Sequence, residues 1–574
     1  MEERRLLLAV ALSFIVLLGY RALYAPPPAP PPQRAAADQA AAGATAGPTT
    51  SQIPRTDQEA PRLPQVAPSS PEELPEAAVE LPAVSDSFER RVEVNGRSLE
   101  LAFTNKGARL LSWRLRQYTD KRGAPEEMVR TTGEGRALDI VTGDLELDAR
   151  LKDVLFLPTT TKLTLSGDKE SALDFEYVAG DLRVLKAFRF HGEGYVVSVA
   201  VSVQRAGREI PKTIFWGPGV GNPTEGEKEV FGYLDPQAVL MTAGGLERLD
   251  ADAIEEARPR RSVRWAGVAA MYFTALWIPP EGIAEAEIMT VSVPSREGED
   301  EPQRLPVVGL ALGLSTEPVQ LYVGPKDYHI LDRLGRGVAE VVPVGDWIGP
   351  VVVPLLGLLR WVYGYVGSYG WSIVALTILI NLAMAPLRHY SIANGIKMAK
   401  LAPEMKVIQD RYRKVPALDP RRQEMQKEVA ALYARHGMSM GTQMAVGCVP
   451  LLLTMPFLIA FYRVLMVSID LRGESFLWLP DLSQKDPLYL TPVLMGVSML
   501  VMQRMTPTTM DPAQKRIMLI MPLVLVVMFF AAPAGLNLYW LASNLCSIIQ
   551  QGVTIRIVHS KQPPAQAKKE RKRR

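Results

Sequence analysis

The segment from Gly370 to Arg388 constrains the fold of this chain most strongly, because it is apolar, of membrane length, and carries Asn381 deep inside it. A bilayer-spanning helix takes roughly 20 mostly apolar residues. An amide in mid-span costs free energy unless a neighbouring helix or a water-filled cavity satisfies it. The segment continues into a strongly basic stretch with helical spacing. These features predict an α-helical polytopic membrane protein that handles something polar from the cytoplasmic side.

The distribution of charge sets the predicted orientation in the membrane. Residues 388–440 carry eleven Lys and Arg against five Asp and Glu, and basic loops stay in the cytoplasm. The loop 468–487 carries two basic and four acidic residues, so it is predicted to be external. Residues 336–369 contain an apolar stretch interrupted by Pro350 and Pro354, which we interpret as an interfacial helix on the outer face. If that stretch also spanned the membrane, the basic loop would be external.

Six spans are predicted, with both termini in the cytoplasm. The first follows Arg4 and Arg5 and is interpreted as an uncleaved signal anchor in preference to a cleaved secretory signal. The six spans are residues 6–24, 370–387, 441–467, 488–503, 517–531 and 536–556, and the last five form the predicted core bundle. The cytoplasmic parts are residues 1–5, a helical hairpin at 388–440, the loop 504–516 and the basic tail 557–574.

A period-two pattern between residues 87 and 335 predicts an all-β domain on the external side. Alternate positions from Val197 to Val203 are valine, with small or polar residues between them, as in a strand with one buried face. Gly and Pro punctuate such runs, which favours an antiparallel β-sandwich of about 250 residues. Residues 25–86 are rich in Pro and Ala, cannot bury a core, and are interpreted as a tether.

Polar residues recur along one face of three predicted spans. Thr377 and Asn381 are one helical turn apart, and Arg388 follows two turns further toward the cytoplasm, about 10 Å along the axis. The residues of the three stripes are Thr377, Asn381, Arg388, Gln443, Thr454, Asn537 and Asn544. Interhelical hydrogen bonds of roughly 1 kcal/mol each would explain any one of them. The three stripes together favour a hydrated groove.

The composition argues against chemistry that needs a cofactor or a metal. The two cysteines, Cys448 and Cys546, lie in apolar segments and are interpreted as small buried hydrophobes. The five histidines are scattered without ligand spacing. The stretch GNPTEGEK at 221–228 resembles a phosphate loop, but Glu227 stands where that motif needs Lys. We therefore expect no cofactor, no metal site and no enzymatic activity.

Long motifs in the last third of the chain resemble the YidC family of membrane protein insertases, in its long Gram-negative form. GCVPLLLTMPFLIAFYRVL at 447–465 and PAGLNLYWLASNLCSIIQQ at 533–551 are similar to two of its spans. DLRGESFLWLPDLSQKDPLYLTPVLMGVSM at 470–499 is similar to its external loop and fourth span, and QRMTP at 503–507 to its last loop. YVGPK at 322–326 is similar to the closing strand region of its periplasmic domain.

The resemblance implies a protein of the bacterial inner membrane with a periplasmic domain that is a β-super-sandwich. It also implies a hydrophilic groove that opens to the cytoplasm and to lipid. It implies that a client's polar tail enters the groove while its apolar segment moves along the third and fifth spans. By position, groove or client-contact sites fall on Thr377, Asn381, Thr454, Phe457, Met499, Tyr539 and Trp540. The implied partners are nascent membrane proteins, the phospholipid bilayer, the Sec translocon, and the ribosome through the basic tail and the hairpin. Sequence-specific nucleic acid is not among them.

Two departures from the family pattern affect the predicted groove. The family usually has an arginine where this chain has Asn381, so Arg388 is expected to supply positive charge nearer the groove mouth. The stretch GMSMGTQMAV at 437–446 is also longer than the usual connection into the third span.

Two functions of other classes are alternatives to membrane protein insertion. A small-solute transporter or channel would want inverted repeats or broken helices around a midplane site, and neither is evident. A membrane-tethered carbohydrate-binding protein could use Trp216 and Trp265 to line a cleft, although core packing suits these residues better.

Overall fold

The structure is a computed structural model that describes residues 82–560 with short gaps. The gaps are residues 121, 131–136, 168, 193, 224, 255–259, 281–283, 295–301, 346, 413–414, 417–418, 438–454 and 507–511. The predicted signal anchor, most of the tether, the basic tail from residue 561 onward, and the predicted site residues Gln443 and Thr454 lie outside the described residues.

Twenty strands are described between Arg91 and Pro325, and they form the predicted β domain. They are β1 (Arg91–Asn95), β2 (Leu99–Thr104), β3 (Arg109–Thr119), β4 (Pro125–Glu127), β5 (Ile140–Val141), β6 (Leu157–Pro158), β7 (Lys162–Thr164), β8 (Glu170–Ala179), β9 (Leu182–His191), β10 (Val196–Arg205), β11 (Arg208–Glu209), β12 (Lys212–Trp216), β13 (Gln237–Thr242), β14 (Gly245–Asp250), β15 (Arg260–Val263), β16 (Trp265–Ala269), β17 (Phe273–Ile278), β18 (Ala284–Val293), β19 (Gln303–Gly313) and β20 (Val319–Pro325).

Three sheets make up the domain. The largest runs in the order β14-β13-β16-β17-β20-β10-β9-β8-β6, with β11 paired to β10, and the two five-stranded sheets run β4-β3-β2-β1-β7 and β15-β18-β19-β12-β5. The described pairings are antiparallel except for β1 with β7. Strand β10 buries every second residue, so the valines that predicted it face the core. Trp216 and Trp265 are 1% and 0% exposed, which confirms core packing for both.

The rest of the described chain is helical apart from its connecting loops. The helices are α1 (Leu145–Asp153), α2 (Glu225–Lys228) and α3 (Tyr328–Asp332) in the β domain, then α4 (Gly349–Val366), α5 (Tyr369–Arg411), α6 (Arg421–Arg435), α7 (Met455–Val467), α8 (Leu490–Met505), α9 (Pro512–Phe529) and α10 (Ala534–Ser560). In this part of the chain, α4 and α5 are long and apolar enough to cross a membrane, while α7, α8 and the Met518–Phe529 part of α9 are shorter apolar helices. Since α4 passes that test by length and composition, its interfacial placement stays a prediction.

Helix α5 is one continuous helix of 43 residues that contains both the predicted second span and the first arm of the cytoplasmic hairpin. The second arm is α6, which packs back on α5 through an apolar cluster separate from the main core. The buried members of this cluster are Leu401, Met405, Val429, Leu432 and Tyr433. The predicted hairpin is therefore a small packed unit with an apolar cluster of its own.

Charged contacts join the β domain to the loop that follows α7. Arg472 of this loop is 7% exposed and donates to Glu126 at 2.9 Å and to Glu227 at 2.7 Å. Arg360 on α4 bridges Asp470 at 2.8 Å and Asp327. One continuous apolar core also runs from the sheets into α4, α5, α7 and α10. The β domain is thus fastened to the helices by both apolar packing and buried ion pairs.

The same loop packs over the N-terminal ends of α5 and α10. Backbone amides of Ala534 and Gly535 donate to the carbonyls of Gln484 and Leu482, at 2.7 and 2.8 Å. The ring of Phe476 occupies the space that a side chain at position 370 would need, so Gly370 permits this close approach. The loop therefore lies across the ends of the two helices that carry most of the predicted groove residues.

Candidate functional site

Local hydrogen bonds satisfy the polar side chains of Thr377 and Asn381 in the N-terminal half of α5. The hydroxyl of Thr377 donates to the Ile373 carbonyl at 2.6 Å, and Nδ2 of Asn381 donates to the Thr377 carbonyl at 2.7 Å. Both side chains are buried, at 0% and 7% exposure. Bonds to the preceding helical turn leave little unpaired polarity in an apolar setting. They also leave the Oδ1 atom of Asn381 available as an acceptor.

The guanidinium of Arg388 uses that acceptor. Its Nη1 atom donates to Asn381 Oδ1 at 2.5 Å and to Ser547 Oγ on α10 at 2.9 Å. Side chains on a helix point back toward its N-terminus, so a long arginine reaches the position seven residues before it. The expectation that this charge lies nearer the groove mouth is therefore corrected, because the charge of Arg388 lies beside Asn381.

Further polar contacts join the middle of α5 to the C-terminal half of α10. Nε2 of Gln550 donates to the Ala385 carbonyl at 2.7 Å, and His389 Nδ1 lies 3.0 Å from Thr554 Oγ1. The sequence interpretation named neither pair. The signal that could have found them is the recurrence of polar residues at three- and four-residue spacing, from Ser543 through Ser547 and Gln550 to Thr554.

Asn537 and Asn544 do not join the Asn381–Arg388 group. Nδ2 of Asn544 donates to Ser498 Oγ on α8 at 2.9 Å, and Nδ2 of Asn537 donates to the Phe529 carbonyl at the end of α9 at 3.2 Å. Each bond ties α10 to a neighbouring helix. For these two residues the geometry fits interhelical hydrogen bonding, which was the alternative to a shared groove.

The aromatic and apolar site residues lie on other faces of the helices. Tyr539 stacks on Phe461 of α7, with ring centroids 4.2 Å apart and planes 17° apart. Trp540 packs against Phe529, with centroids at 5.2 Å and planes at 65°. Phe457 and Met499 are both partly buried, on α7 and α8 respectively.

An apolar crevice opens between α7 and α9. Its volume is about 270 Å³, and every lining residue is apolar or aromatic. The lining residues are Phe231, Leu458, Ile459, Tyr462, Leu525, Met528, Phe529, Ala532, Leu536 and Trp540. The helical region therefore contains two different environments: a partly buried cation with amide and hydroxyl partners, and an apolar crevice.

A β domain fastened to apolar helices that hold a partly buried arginine defines an α-helical membrane protein with a large folded domain outside its helices. Residues 91–357 match the family model of the YidC periplasmic domain, and residues 361–562 match that of the 60Kd inner membrane protein. Together these two models cover most of the chain, and the chain belongs to the YidC family of membrane protein insertases. This confirms the resemblance found in the motifs.

Relatives from several bacteria share this likeness over most of their length. The membrane protein insertase YidC of Geobacter sulfurreducens is 31% identical over 563 residues, which covers 96% of this chain and 97% of that protein. The YidC of Cupriavidus necator is 32% identical over 398 residues, covering 68% of this chain and 69% of that protein. A crystal structure of an active YidC insertase with its first transmembrane domain resolved aligns at 17% identity and a TM-score of 0.34, over 83% of this chain and 95% of that one.

Proposed function

We propose that this protein inserts nascent membrane proteins into the bacterial inner membrane and helps them to fold, through a hydrophilic groove open to the cytoplasm. The observation that carries the proposal is the Arg388 guanidinium, held between α5 and α10 by Asn381 and Ser547. A charge among apolar helices is costly unless water or polar partners reach it, and such charges mark pathways for polar cargo.

The proposed topology has six spans, five of them forming the core, with both termini in the cytoplasm and the β domain in the periplasm. Helix α4 lies along the outer membrane surface, since it exposes Trp361 and Tyr365 at 58% and 76% and keeps its other face in the core. Interfacial aromatic residues are typical of such helices. The eleven-to-five excess of basic residues in 388–440 supports a cytoplasmic hairpin.

Within this topology the site residues divide into two roles. Thr377, Asn381 and Arg388 form the polar wall that accepts a client's hydrophilic flank, and Gln443 and Thr454 extend it by their place in the sequence. The apolar residues Phe457, Met499, Tyr539 and Trp540 contact the client's hydrophobic segment. Asn537 and Asn544 hold α10 in position beside the groove.

Insertion by this route needs no cofactor, and for short translocated segments it needs no fuel. Moving a client's apolar helix into lipid stabilises it by about 0.8 kcal/mol for each buried CH₂ group. The barrier is the passage of the polar flank across roughly 30 Å of hydrocarbon. A groove that brings water and a cation partway into the bilayer shortens this passage.

The proposed partners follow from charge and location. The basic hairpin and tail suit the polyanionic ribosome surface near the emerging client. The Sec translocon is a proposed partner for clients with long exported segments. A carbohydrate-binding role has no comparable support, because the two tryptophans it would use, Trp216 and Trp265, are buried in the core.

Photocrosslinking from positions 381 and 457 to ribosome-bound nascent chains tests this proposal. A crosslinker at either position should capture a nascent membrane protein while its first apolar segment is emerging. The same crosslinker at Leu145, an 86% exposed residue of the β domain, is the matched control and should capture none. Equal capture from all three positions, or from Leu145 alone, contradicts the groove.

A further inference from the structure

A large cavity lies where the β domain, α4 and α7 meet, away from the Asn381–Arg388 group. Its volume is about 1120 Å³. Pockets that hold drug-sized ligands range from about 300 to 1,000 Å³, so this space can hold a sizeable molecule. Its walls come from β14, α3, the residues that precede α4, the first turns of α4, and Arg463 on α7.

Arg463 is the residue that makes this cavity unusual. It lies on an otherwise apolar helix, four residues before the helix ends at Val467, or about 6 Å along the axis. It is partly exposed, and within the described part of the chain it has no hydrogen bond or ion pair. A guanidinium on an apolar membrane helix is stabilised when it reaches the phosphate level of the membrane.

The cavity carries a balanced set of charges. Arg248 is fixed at its wall, since its Nη2 atom donates to the carbonyls of Glu340 and Val341 at 3.0 and 3.2 Å. The side chains of Asp332 and Glu340 also line the cavity, and neither has a hydrogen bond or ion pair among the residues with described positions. Two cations and two carboxylates match a ligand that carries both signs of charge better than they match a simple anion.

The remaining walls are largely apolar, and α4, the predicted interfacial helix, forms part of them. Leu246, Val353 and Pro354 contribute to them, and α4 exposes aromatic residues one or more turns further along. A ligand with a charged head and an apolar body would therefore find both halves of its surface matched in one place.

We propose that this cavity binds the headgroup of a zwitterionic aminophospholipid from the outer leaflet. The phosphate lies against Arg463 and Arg248, and the ammonium group faces Asp332 and Glu340. The inference rests on the proposed topology, in which the β domain is periplasmic, but it does not depend on client insertion. The bound lipid would fill the junction between the β domain, α4 and α7.

Lipid retention by the full-length protein tests this inference. The protein is incorporated in vesicles of phosphatidylethanolamine and phosphatidylglycerol, extracted in detergent, and analysed by native mass spectrometry for bound lipid. Wild type should retain phosphatidylethanolamine. In Arg463→Gln the amount of retained phosphatidylethanolamine should be about tenfold lower, because hydrogen bonds to charged groups are strong. Arg504→Gln, an exposed arginine near the end of α8 outside the cavity, should retain lipid as the wild type does.

Two further arms separate the possible occupants. The double variant Asp332→Asn, Glu340→Gln should shift the retained lipid toward phosphatidylglycerol. A photocrosslinker at Tyr328, which lines the cavity, should label phosphatidylethanolamine in the vesicles. Unchanged retention in Arg463→Gln, displacement of the lipid by millimolar inorganic phosphate, or a crosslink from 328 to residues 1–81 of the chain would each overturn the proposal. A thermal melt shows that the variants are folded, and insertion assays on the same variants report separately on the proposed function.

Discussion

At the residue scale, the positive charge beside Asn381 comes from Arg388, which is seven residues further along the chain. The guanidinium bonds to Asn381 and to Ser547, so an amide and a cation share one location. Under the proposed function, we expect the position of the charge, and not the residue that carries it, to matter for a client's polar flank. Positions 381 and 388 should then be interchangeable sources of the same cation.

This interchangeability is testable by moving the charge. Arg388→Gln should reduce insertion strongly, and Asn381→Arg in the same chain should restore most of it, because the cation returns to the same location. Complementation of an insertase-depleted strain is the measurement, with expression checked by immunoblot. Arg504→Gln serves as a control for loss of an arginine elsewhere. If the double variant is no better than Arg388→Gln alone, the location of the charge is not what the groove requires.

Two buried lysines of the β domain differ in their partners. Nζ of Lys186 donates to the carbonyls of Gly107, Ala108 and Leu138, whereas the described hydrogen bond of Lys326 Nζ goes to Ala270 at 2.7 Å. Burial, with a contribution from Arg248, lowers the pKa of Lys326 to about 7. The folded state therefore prefers this lysine neutral, while the unfolded state keeps it charged up to its ordinary pKa of 10.5.

The sign of the resulting pH dependence follows directly. Well below pH 7 the lysine is charged in both the folded and the unfolded state, and its burial destabilises the folded state by a constant amount. Between pH 7 and 10.5 the unfolded state binds this proton and the folded state largely does not, so the free energy of unfolding rises with pH. Relative to Lys326→Met, the wild type should gain about 2 kcal/mol of unfolding free energy between pH 7 and pH 9. Chemical denaturation of the full-length protein in detergent measures this difference, with the exposed Lys162→Met as a control. A constant difference across that range would show that Lys326 does not titrate there.

The contacts of single residues also mark where sequence reasoning reached its limit. Thr377, Asn381 and Arg388 were predicted as groove residues because they share a helix, and their spacing is visible in the sequence. The reach of Arg388 back to Asn381 was not predicted, since spacing locates Cα atoms and not guanidinium groups. Arg472 pairs with Glu227 and Glu126, which are 245 and 346 residues earlier in the chain. No local sequence pattern connects residues so far apart.

At the element scale, the helices are joined by bonds that cross from one to the next. Helix α10 bonds to α5 through Ser547 and Gln550, and to α8 through Asn544. The loop after α7 bonds to the β domain through Arg472 and to α4 through Asp470. Burial raises the pKa of the Glu126 carboxyl above its ordinary value, although Arg472 acts in the opposite direction. Arg472 therefore favours the charged form of a buried carboxyl at this junction.

Removal of that arginine should loosen the junction between the β domain and the helices. Arg472→Met removes the cation that pairs with the buried Glu126 carboxylate, and breaking a buried ion pair on one side costs about 3–5 kcal/mol. Arg421→Met, which breaks the exposed pair with Asp419, should cost far less, because exposed ion pairs contribute little to stability. Denaturant unfolding in detergent compares the two, and Glu126→Gln in the Arg472→Met chain should recover part of the loss. Equal costs for the two arginines would contradict a structural role for the buried bridge.

Elements with strong periodicity were the ones that the sequence predicted best. The valines at alternate positions of β10 are buried, and the two arms of the predicted hairpin pack together in their own apolar cluster. The continuity of α5 through Pro386 and Pro403 was not predicted. The order of strands in the three sheets has no local sequence signal either. For example, β20 pairs with β10, which is more than 100 residues earlier in the chain, and with β17, which is about 45 residues earlier.

At the scale of the whole molecule, the two family matches meet between residues 357 and 361, within α4. The two parts nevertheless share one apolar core, and the loop over the ends of α5 and α10 is clamped by the β domain. The composition of the chain hides this organisation, because a mean hydropathy of +0.05 averages a polar β domain with apolar helices. The order of the motifs, and not the average, identified the family.

The accessibility of single cysteines tests the central claim most directly, namely that water reaches one side of the helical region and only from within the cell. In a chain whose Cys448 and Cys546 are replaced, a cysteine at 381 or 547 is exposed to a membrane-impermeant maleimide in inverted vesicles and in spheroplasts. A cysteine at Leu382, a 64% exposed neighbour on the outer surface of the same helix, is the lipid-facing control. We expect labelling at 381 and 547 from the cytoplasmic side alone, and none at 382. Positions 381 and 547 that stay unlabelled from both sides, or that are labelled equally from outside, would contradict the account.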